Sequence, residues 1–468
     1  MAIKIALPKG RLLRKTAALL QRAEWGLDEY HSKTGFYRPR SQKFPELLIR
    51  VFHEKDIPIQ IAMGNYDLGI CCLDWIEELL VKYPSSGVVK VQDLGYGGGA
   101  LYAASVLSPK ELRRNGTPVR IASEYPNLAE AFALRERLNR FSIFPVWGGA
   151  EVYPPENADI ALLAARSPAD LTGYGIVSLS KMLDFSAFLI AGRSGREGKH
   201  LDAIVTSIRN NLAPFEKVPT GGDICPAGIP GFATELKTGG DTVRLALPDG
   251  HQQVFAAELL KKAGITIEDY PSETGNRRPG VNLTGVVVKV IRPQDMPQQV
   301  AGGNFDLAVT GRDWLNEHLA QFPSSPVEEL ADLKQGRVRL VAVVSKDLEV
   351  DSAEGLRRYA VERDAPLRIA SEYVNIADKY ARDNHLGHYR VIPTWGATEA
   401  FLPEDADLLI ENTETGRTIA RHNLKIIDTL FESTACLIGN KNNRAGSVKA
   451  ERINEITARL RAAAEGNK

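Results

Sequence analysis

The sequence predicts an α/β protein made of two tandem copies of one two-lobed unit, and three observations carry that expectation: an internal repeat, an alternation of strand-like and helix-like runs, and a Gly/Pro-rich stretch between the copies. Ile5-Ala-Leu-Pro-Lys-Gly10 recurs as Leu245-Ala-Leu-Pro-Asp-Gly250, and Gly64-Asn-Tyr-Asp-Leu68 as Gly303-Asn-Phe-Asp-Leu307. Arg120-Ile-Ala-Ser-Glu-Tyr125 recurs as Arg368-Ile-Ala-Ser-Glu-Tyr373, and Trp147-Gly148 with Glu151 as Trp395-Gly396 with Glu399. The order is kept while the offset drifts slowly, which is the mark of a duplication rather than of chance similarity.

Short β-type runs (Ile3 to Leu7, Asp67 to Cys71, Val119 to Ala122) alternate with helical patterns (Leu12 to Arg22, Asn127 to Leu138). That alternation predicts βαβ units and mostly parallel sheets. Ligands are then expected at the carboxyl ends of strands and the amino ends of helices, where free N–H groups and the helix dipole favour anions. The first unit is expected at 1–212, with lobes at about 1–97 plus 178–212 and at 98–177. A linker rich in Pro and Gly follows at 213–241. The second unit occupies 242–468, with lobes at about 242–336 plus 426–468 and at 337–425.

Bulk properties narrow the function. In 468 residues, 58 Lys plus Arg balance 58 Asp plus Glu, so no global field draws the chain to nucleic acid or to a membrane surface. Any anionic ligand needs a local site. Cys71, Cys72, Cys225 and Cys436 fit neither a disulfide framework nor metal-ligand spacing, and the adjacent pair is expected in a buried strand. With no secretion signal and no apolar run of membrane-spanning length, a cytoplasmic location is expected.

The strongest local pattern is Ala406-Asp-Leu-Leu-Ile-Glu-Asn-Thr-Glu-Thr-Gly-Arg-Thr-Ile419, an apolar strand that enters a polar loop and then a helix. Glu414, Thr415, Gly416, Arg417 and Thr418 have phosphate-loop chemistry: glycine admits a close approach, and hydroxyls with clustered N–H groups hold the anion. Glu411 could accept hydrogen bonds from ribose hydroxyls or stand near a Mg²⁺ ion. An ordinary helix cap explains the same pattern, and both readings stay open on these residues alone.

This loop resembles the phosphoribosyl-pyrophosphate loop of the ATP phosphoribosyltransferase family. Further motifs do too: Leu7-Pro-Lys-Gly-Arg11, Asp56-Ile-Pro58, Arg292-Pro-Gln-Asp295-Met-Pro297, Asp306-Leu-Ala-Val-Thr-Gly-Arg-Asp313, Ile121 to Asn127 with its repeat at Ile369 to Asn375, and Thr434 to Ile438. Together they cover most of each copy. The resemblance implies two units of the type II periplasmic-binding-protein-like fold and a Mg²⁺-dependent transfer of ribose 5-phosphate from phosphoribosyl pyrophosphate to N1 of ATP, the first step of histidine biosynthesis. It implies that Thr415 to Thr418 hold the 5′-phosphate and that Glu399 and Glu411 orient the ribose. Gly311, Ser371 and Tyr373 would shape the ATP side of the cleft. Arg292, with Lys9 and Arg11 as a composite contribution from the first copy, would stabilise the departing pyrophosphate. No protein metal ligands are implied with it. A homo-oligomer, and a regulatory subunit resembling histidyl-tRNA synthetase, are the partners it implies.

The copies differ where the chemistry would sit. Glu411 corresponds to Leu163, Thr415 to Ser167, Gly416 to Pro168 and Thr418 to Asp170, so the first loop loses an N–H and gains a negative charge. Arg292 corresponds to His53, and Thr310-Gly311 to Cys71-Cys72. The second copy in turn has Asp249-Gly250-His251 in place of Lys9-Gly10-Arg11. The first copy is therefore expected to be a helper. A nucleotide-binding regulatory protein without turnover is the competing class. Glu151 and Glu399 read either as sugar contacts or as surface acids. Asp67 and Asp306 read as turn or capping residues, and Trp147 and Trp395 as packing residues.

Overall fold

A computed structural model describes residues 3–31, 37–107, 111–112, 117–193, 201–214, 241–272, 275–396, 398–443 and 448–466. The expected linker at 213–241 lies outside these residues except at 213, 214 and 241, as does Cys225. The chain forms two units: Met1–Pro145 with Tyr153–Pro230 and Thr394–Ala400, and Val146–Val152 with Gly231–Pro393 and Phe401–Lys468.

Each unit has two lobes, and each lobe has one five-stranded sheet. In the first unit the order is Leu48–Phe52, Lys4–Pro8, Leu68–Cys72, Ala187–Gly192, Val88–Asp93 in one lobe and Phe141–Pro145, Val119–Ser123, Ile160–Ala165, Gly99–Ser105, Val177–Phe185 in the other. The second unit repeats both orders. Its first lobe runs Val286–Ile291, Val243–Pro248, Leu307–Gly311, Ala435–Asn440, Val327–Asp332. Its second runs Tyr389–Pro393, Leu367–Ser371, Leu408–Thr413, Val338–Ser345, Leu424–Ser433. These are two tandem two-lobed α/β units, as expected. Central strands such as Leu68–Cys72 are buried along their whole length, so they read as continuous apolar runs rather than alternating ones. Cys71 and Cys72 are buried there.

Two expectations are corrected. The sheets are mixed rather than mostly parallel, because the strand that returns from the second lobe enters the first sheet against its neighbours: Ala187–Gly192 is antiparallel to both Leu68–Cys72 and Val88–Asp93, and Ala435–Asn440 does the same in the second unit. The crossing also comes later than 178 and 426. Val177–Phe185 still pairs with Gly99–Ser105, and Leu424–Ser433 with Val338–Ser345, so the chain changes lobe at Ser186 and Thr434. A long outer strand is not separable from the next one by pattern alone.

The lobes of each unit meet through matched contacts. Trp75 stacks on Tyr125 at 4.3 Å, and Trp314 on Tyr373 at 4.4 Å. Such pairs contribute roughly 0.5–1.5 kcal/mol beyond the area they bury. The Glu78 carboxylate accepts the N–H groups of Asn127 (2.8 Å) and Leu128 (2.9 Å) at the start of helix Pro126–Arg135. Glu317 accepts those of Asn375 (2.8 Å) and Ile376 (2.9 Å) at the start of helix Val374–Asp383. Two otherwise orphaned helix donors are thereby satisfied from the opposite lobe. Burial pushes the Glu78 carboxyl up to about 7, against the opposing pull of the two N–H groups. A raised acid favours the folded state while protonated and loses that contribution as pH rises through its folded value. Wild type is therefore expected to lose stability relative to Glu78→Gln between about pH 4.5 and pH 8, which urea unfolding midpoints at the two ends will measure.

Aspartates at the Gly-Asn turns are structural. Asp67 accepts the Lys4 N–H at 2.8 Å. Asp306 binds the Arg244 N–H (2.8 Å) and guanidinium (3.0 Å) together with Lys449 (2.8 Å). Burial opposes its charge, but these partners hold its carboxyl below the usual range. The final helix, Val448–Glu465, packs Ile453, Ile456 and Leu460 into the first-lobe core of the second unit.

Candidate functional site

In the second unit, strand Leu408–Thr413 ends at a turn closed by Gly416, whose φ of 74° lies in the left-handed region that only glycine adopts without cost. Thr413 is buried and its Oγ1 accepts the Gly416 N–H at 2.9 Å; Thr415 Oγ1 accepts the Arg417 N–H at 3.4 Å. Helix Arg417–Arg421 follows, anchored by buried Ile419. Glu414, Thr415, Arg417 and Thr418 are exposed around the turn, while Glu411 is half-buried on the strand opposite Val341. The turn is an open, hydroxyl-lined bend at the carboxyl end of a central strand.

The corresponding turn of the first unit is already filled. Ser167 caps helix Pro168–Gly173 in extended conformation, and the Asp170 carboxylate accepts the N–H groups of Ser167 and Arg166, both at 3.0 Å. A carboxylate thus folds back onto the N–H groups that lead into this turn, and Pro168 supplies none. Asp170→Ala is expected to cost about 1 kcal/mol of stability through loss of this cap, read as a shift of the urea midpoint.

The remaining residues are distributed as follows. Ser371 is buried; its Oγ donates to the Ile410 carbonyl (2.6 Å) and accepts the Tyr373 N–H (2.9 Å). The Tyr373 hydroxyl donates to Asp313 (2.5 Å) and accepts from Asn412 Nδ2 (2.7 Å). Ser371 therefore ties adjacent segments of its own lobe together, while Tyr373 reaches across to Asp313 of the other lobe. Ser123 and Tyr125 make the equivalent bonds in the first unit, to the Leu162 carbonyl (2.8 Å) and Asp74 (2.8 Å). Gly311 ends strand Leu307–Gly311, where an added Cβ would collide with the Asp313 carboxylate. That carboxylate turns to Ser433, whose hydroxyl donates to it at 2.9 Å. Glu399 is buried on the short turn Thr398–Phe401, in a segment belonging to the first unit. The second unit by itself therefore assembles Glu411 and the 414–418 turn without Glu399. Trp147 lies in the second unit and packs against its core, 5.7 Å from the Trp314 ring.

Two of the cations expected to meet a pyrophosphate, Arg11 and Arg292, are held by carboxylates of their own lobes. Arg11 is bound by Glu54 and Asp74, both at 2.7 Å, and its guanidinium lies 5.3 Å from the Phe185 ring. Burial raises the Glu54 carboxyl to about 7 even though Arg11 works against that rise. Lys9 lies 5.9 Å from the Tyr37 ring. His53 is pushed down to about 3 by burial and by Lys55, Lys9 and Arg11, so it is neutral near pH 7 and does not replace an arginine. Arg292 bonds to Asp249 at 3.2 Å, and Arg277 shares the same carboxylate at 2.8 Å. Asp249 and Arg277 are absent from the expected set. Comparing the two copies position by position would have exposed them, because Lys9, Tyr37 and His53 become Asp249, Arg277 and Arg292 together.

No group of three or more His, Cys, Asp or Glu side chains among the described residues is arranged to hold a metal ion, and no helix there is long and apolar enough to cross a membrane.

Comparison with known proteins matches residues 53–211 and 292–462 to the family model described as ATP phosphoribosyltransferase. The chain is similar to the ATP phosphoribosyltransferase of Pelotomaculum thermopropionicum, 31% identical over 226 residues, which are 47% of this chain and 72% of that protein. It is also similar to that of Chlorobaculum parvum, 31% identical over 233 residues, 49% of this chain and 74% of that protein. Among solved structures, a chain of the ATP phosphoribosyl transferase (HisG:HisZ) complex from Thermotoga maritima aligns with 48% of this chain and all (100%) of its own length, with a TM-score of 0.40 and 23% identity.

Proposed function

The chain belongs to the ATP phosphoribosyltransferase family, and from that premise we propose that it joins N1 of the ATP adenine to C1 of phosphoribosyl pyrophosphate, releasing pyrophosphate, at the 414–418 turn of its second unit. The observation that carries this reading is the asymmetry of the two turns. One bends through a left-handed glycine and leaves Thr415 and Thr418 exposed, and the other is filled by Asp170.

In this reaction the ribose develops oxocarbenium character while charge grows on the leaving group. No nucleophilic side chain is required. The protein aligns the substrates and supplies positive charge to the pyrophosphate. The exposed Thr415 and Thr418 hydroxyls hold the 5′-phosphate on a turn that the Gly416 N–H to Thr413 bond shapes, and Glu411 takes the ribose hydroxyls. Arg292 faces the leaving group. Mg²⁺, which the family resemblance implies, would be carried by the substrate phosphates, and Glu411 is the acid on this strand that could stand near it. The first unit serves as scaffold.

A second reading, a regulatory paralogue that binds the substrates without turnover, is favoured by one observation: the opening cations are replaced by Asp249 and His251, and Asp249 holds Arg292. Incubating the full chain with ATP, phosphoribosyl pyrophosphate and Mg²⁺, and following pyrophosphate release, separates the two. Release that depends on both substrates supports the transferase; saturable binding with no release supports the regulator.

A further inference from the structure

In the first lobe of the second unit, Asp249 directly follows the strand Val243–Pro248, and its side chain is only 6% exposed. Buried carboxylates persist where they are paired. This one has two partners: Arg277 Nη1 at 2.8 Å and Arg292 Nη1 at 3.2 Å. The triad carries a net positive charge, and the Arg277 and Arg292 side chains remain 27% and 41% exposed. Arg292 Nε is buried without a hydrogen-bond partner, so a donor of this guanidinium is left unspent. In the first unit the same three positions hold Lys9, Tyr37 and neutral His53, which form no such triad.

We propose that Asp249 is a positioning residue that fixes Arg277 and Arg292 in their own lobe, so that the two guanidiniums are presented together to a diphosphate, the leaving group of the reaction proposed above. Two free arginines would repel each other and splay; a shared buried carboxylate sets their spacing before the ligand arrives, and a fork of planar donors then matches phosphate oxygens. The inference rests on the transferase reading for its kinetic consequence but not for its binding consequence.

The test has two arms on the full chain. Inorganic pyrophosphate binding, measured by titration calorimetry, is expected to weaken about tenfold in Arg277→Ala, and to be at least as tight in the isosteric Asp249→Asn, which removes a negative charge while loosening the geometry. In turnover, Asp249→Asn is expected to lower kcat about tenfold or more without raising KM for phosphoribosyl pyrophosphate, and Asp249→Glu to recover part of kcat. Unchanged pyrophosphate affinity in Arg277→Ala overturns the cradle, whatever the activity. A kcat in Asp249→Asn equal to or above wild type overturns the positioning role and makes Asp249 a quencher of Arg292. If the wild-type chain shows no turnover, the transferase reading fails, while the calorimetric arm still decides the cradle. Melting temperatures of all three variants identify any loss of fold.

Discussion

Gly416→Pro is expected to lower kcat/KM for pyrophosphate release by on the order of a hundredfold or more, with little change in the unfolding of the rest of the chain. The substitution imports the residue that the first copy has at this position, Pro168. It conflicts with the turn in two ways. Proline fixes φ near −65°, whereas Gly416 sits at 74°. The Gly416 N–H that now donates to Thr413 at 2.9 Å would also be lost. The turn must then open, moving the Thr415 and Thr418 hydroxyls away from one another. Thr418→Asp tests the complementary half of the first copy's decay. A carboxylate there is expected to fold back onto the turn, as Asp170 does onto Arg166 and Ser167, and to oppose a bound phosphate by charge as well as by occupancy. A tenfold loss corresponds to about 1.4 kcal/mol of transition-state stabilisation, so the two changes are separable by their kinetic constants.

The largest stability effect is expected at Trp314. It is buried, stacks on Tyr373 at 4.4 Å with 27° between the rings, and belongs to the core of the second unit's second lobe although its own helix, Arg312–Gln321, leads from the first. Trp314→Ala removes that contact and leaves a cavity between the lobes, at a cost of about 3–5 kcal/mol. For a unit of this size that is a fall on the order of 10 °C in the melting transition, read by scanning calorimetry. Tyr373→Phe keeps the ring and deletes the hydroxyl that bridges Asp313 and Asn412, so its cost is expected to be about 1–3 kcal/mol. If the stack matters mainly by joining the lobes, Trp314→Ala also raises KM for phosphoribosyl pyrophosphate, because the turn at 414–418 loses its fixed relation to the lobe that carries Arg292.

The repeat, the two-lobed units and the turn at Gly416 were legible in the sequence because each is a local matter. A left-handed bend after an apolar strand needs glycine, and Pro168 with Asp170 announces that the first turn differs. The direction of Ala187–Gly192 and Ala435–Asn440 was not legible. A buried strand reads alike in either orientation, and its partners lie far away in the chain. Ion pairing was hidden for the same reason. Arg11 finds Glu54 and Asp74, and Arg292 finds Asp249, only once the sheet order brings separate strand ends together. Ser371 and Tyr373 were expected to shape the cleft because the family resemblance implied it. Here they satisfy buried partners instead. The membership of Glu399 in the first unit has no sequence signal that we can identify.

The asymmetry of the duplication is tested most directly by the stoichiometry of phosphoribosyl pyrophosphate binding to the full chain, measured by titration calorimetry. The expected result is about one site per chain, abolished by Gly416→Pro and retained in Asp170→Ala. Two sites per chain, or one site that survives Gly416→Pro, would contradict it.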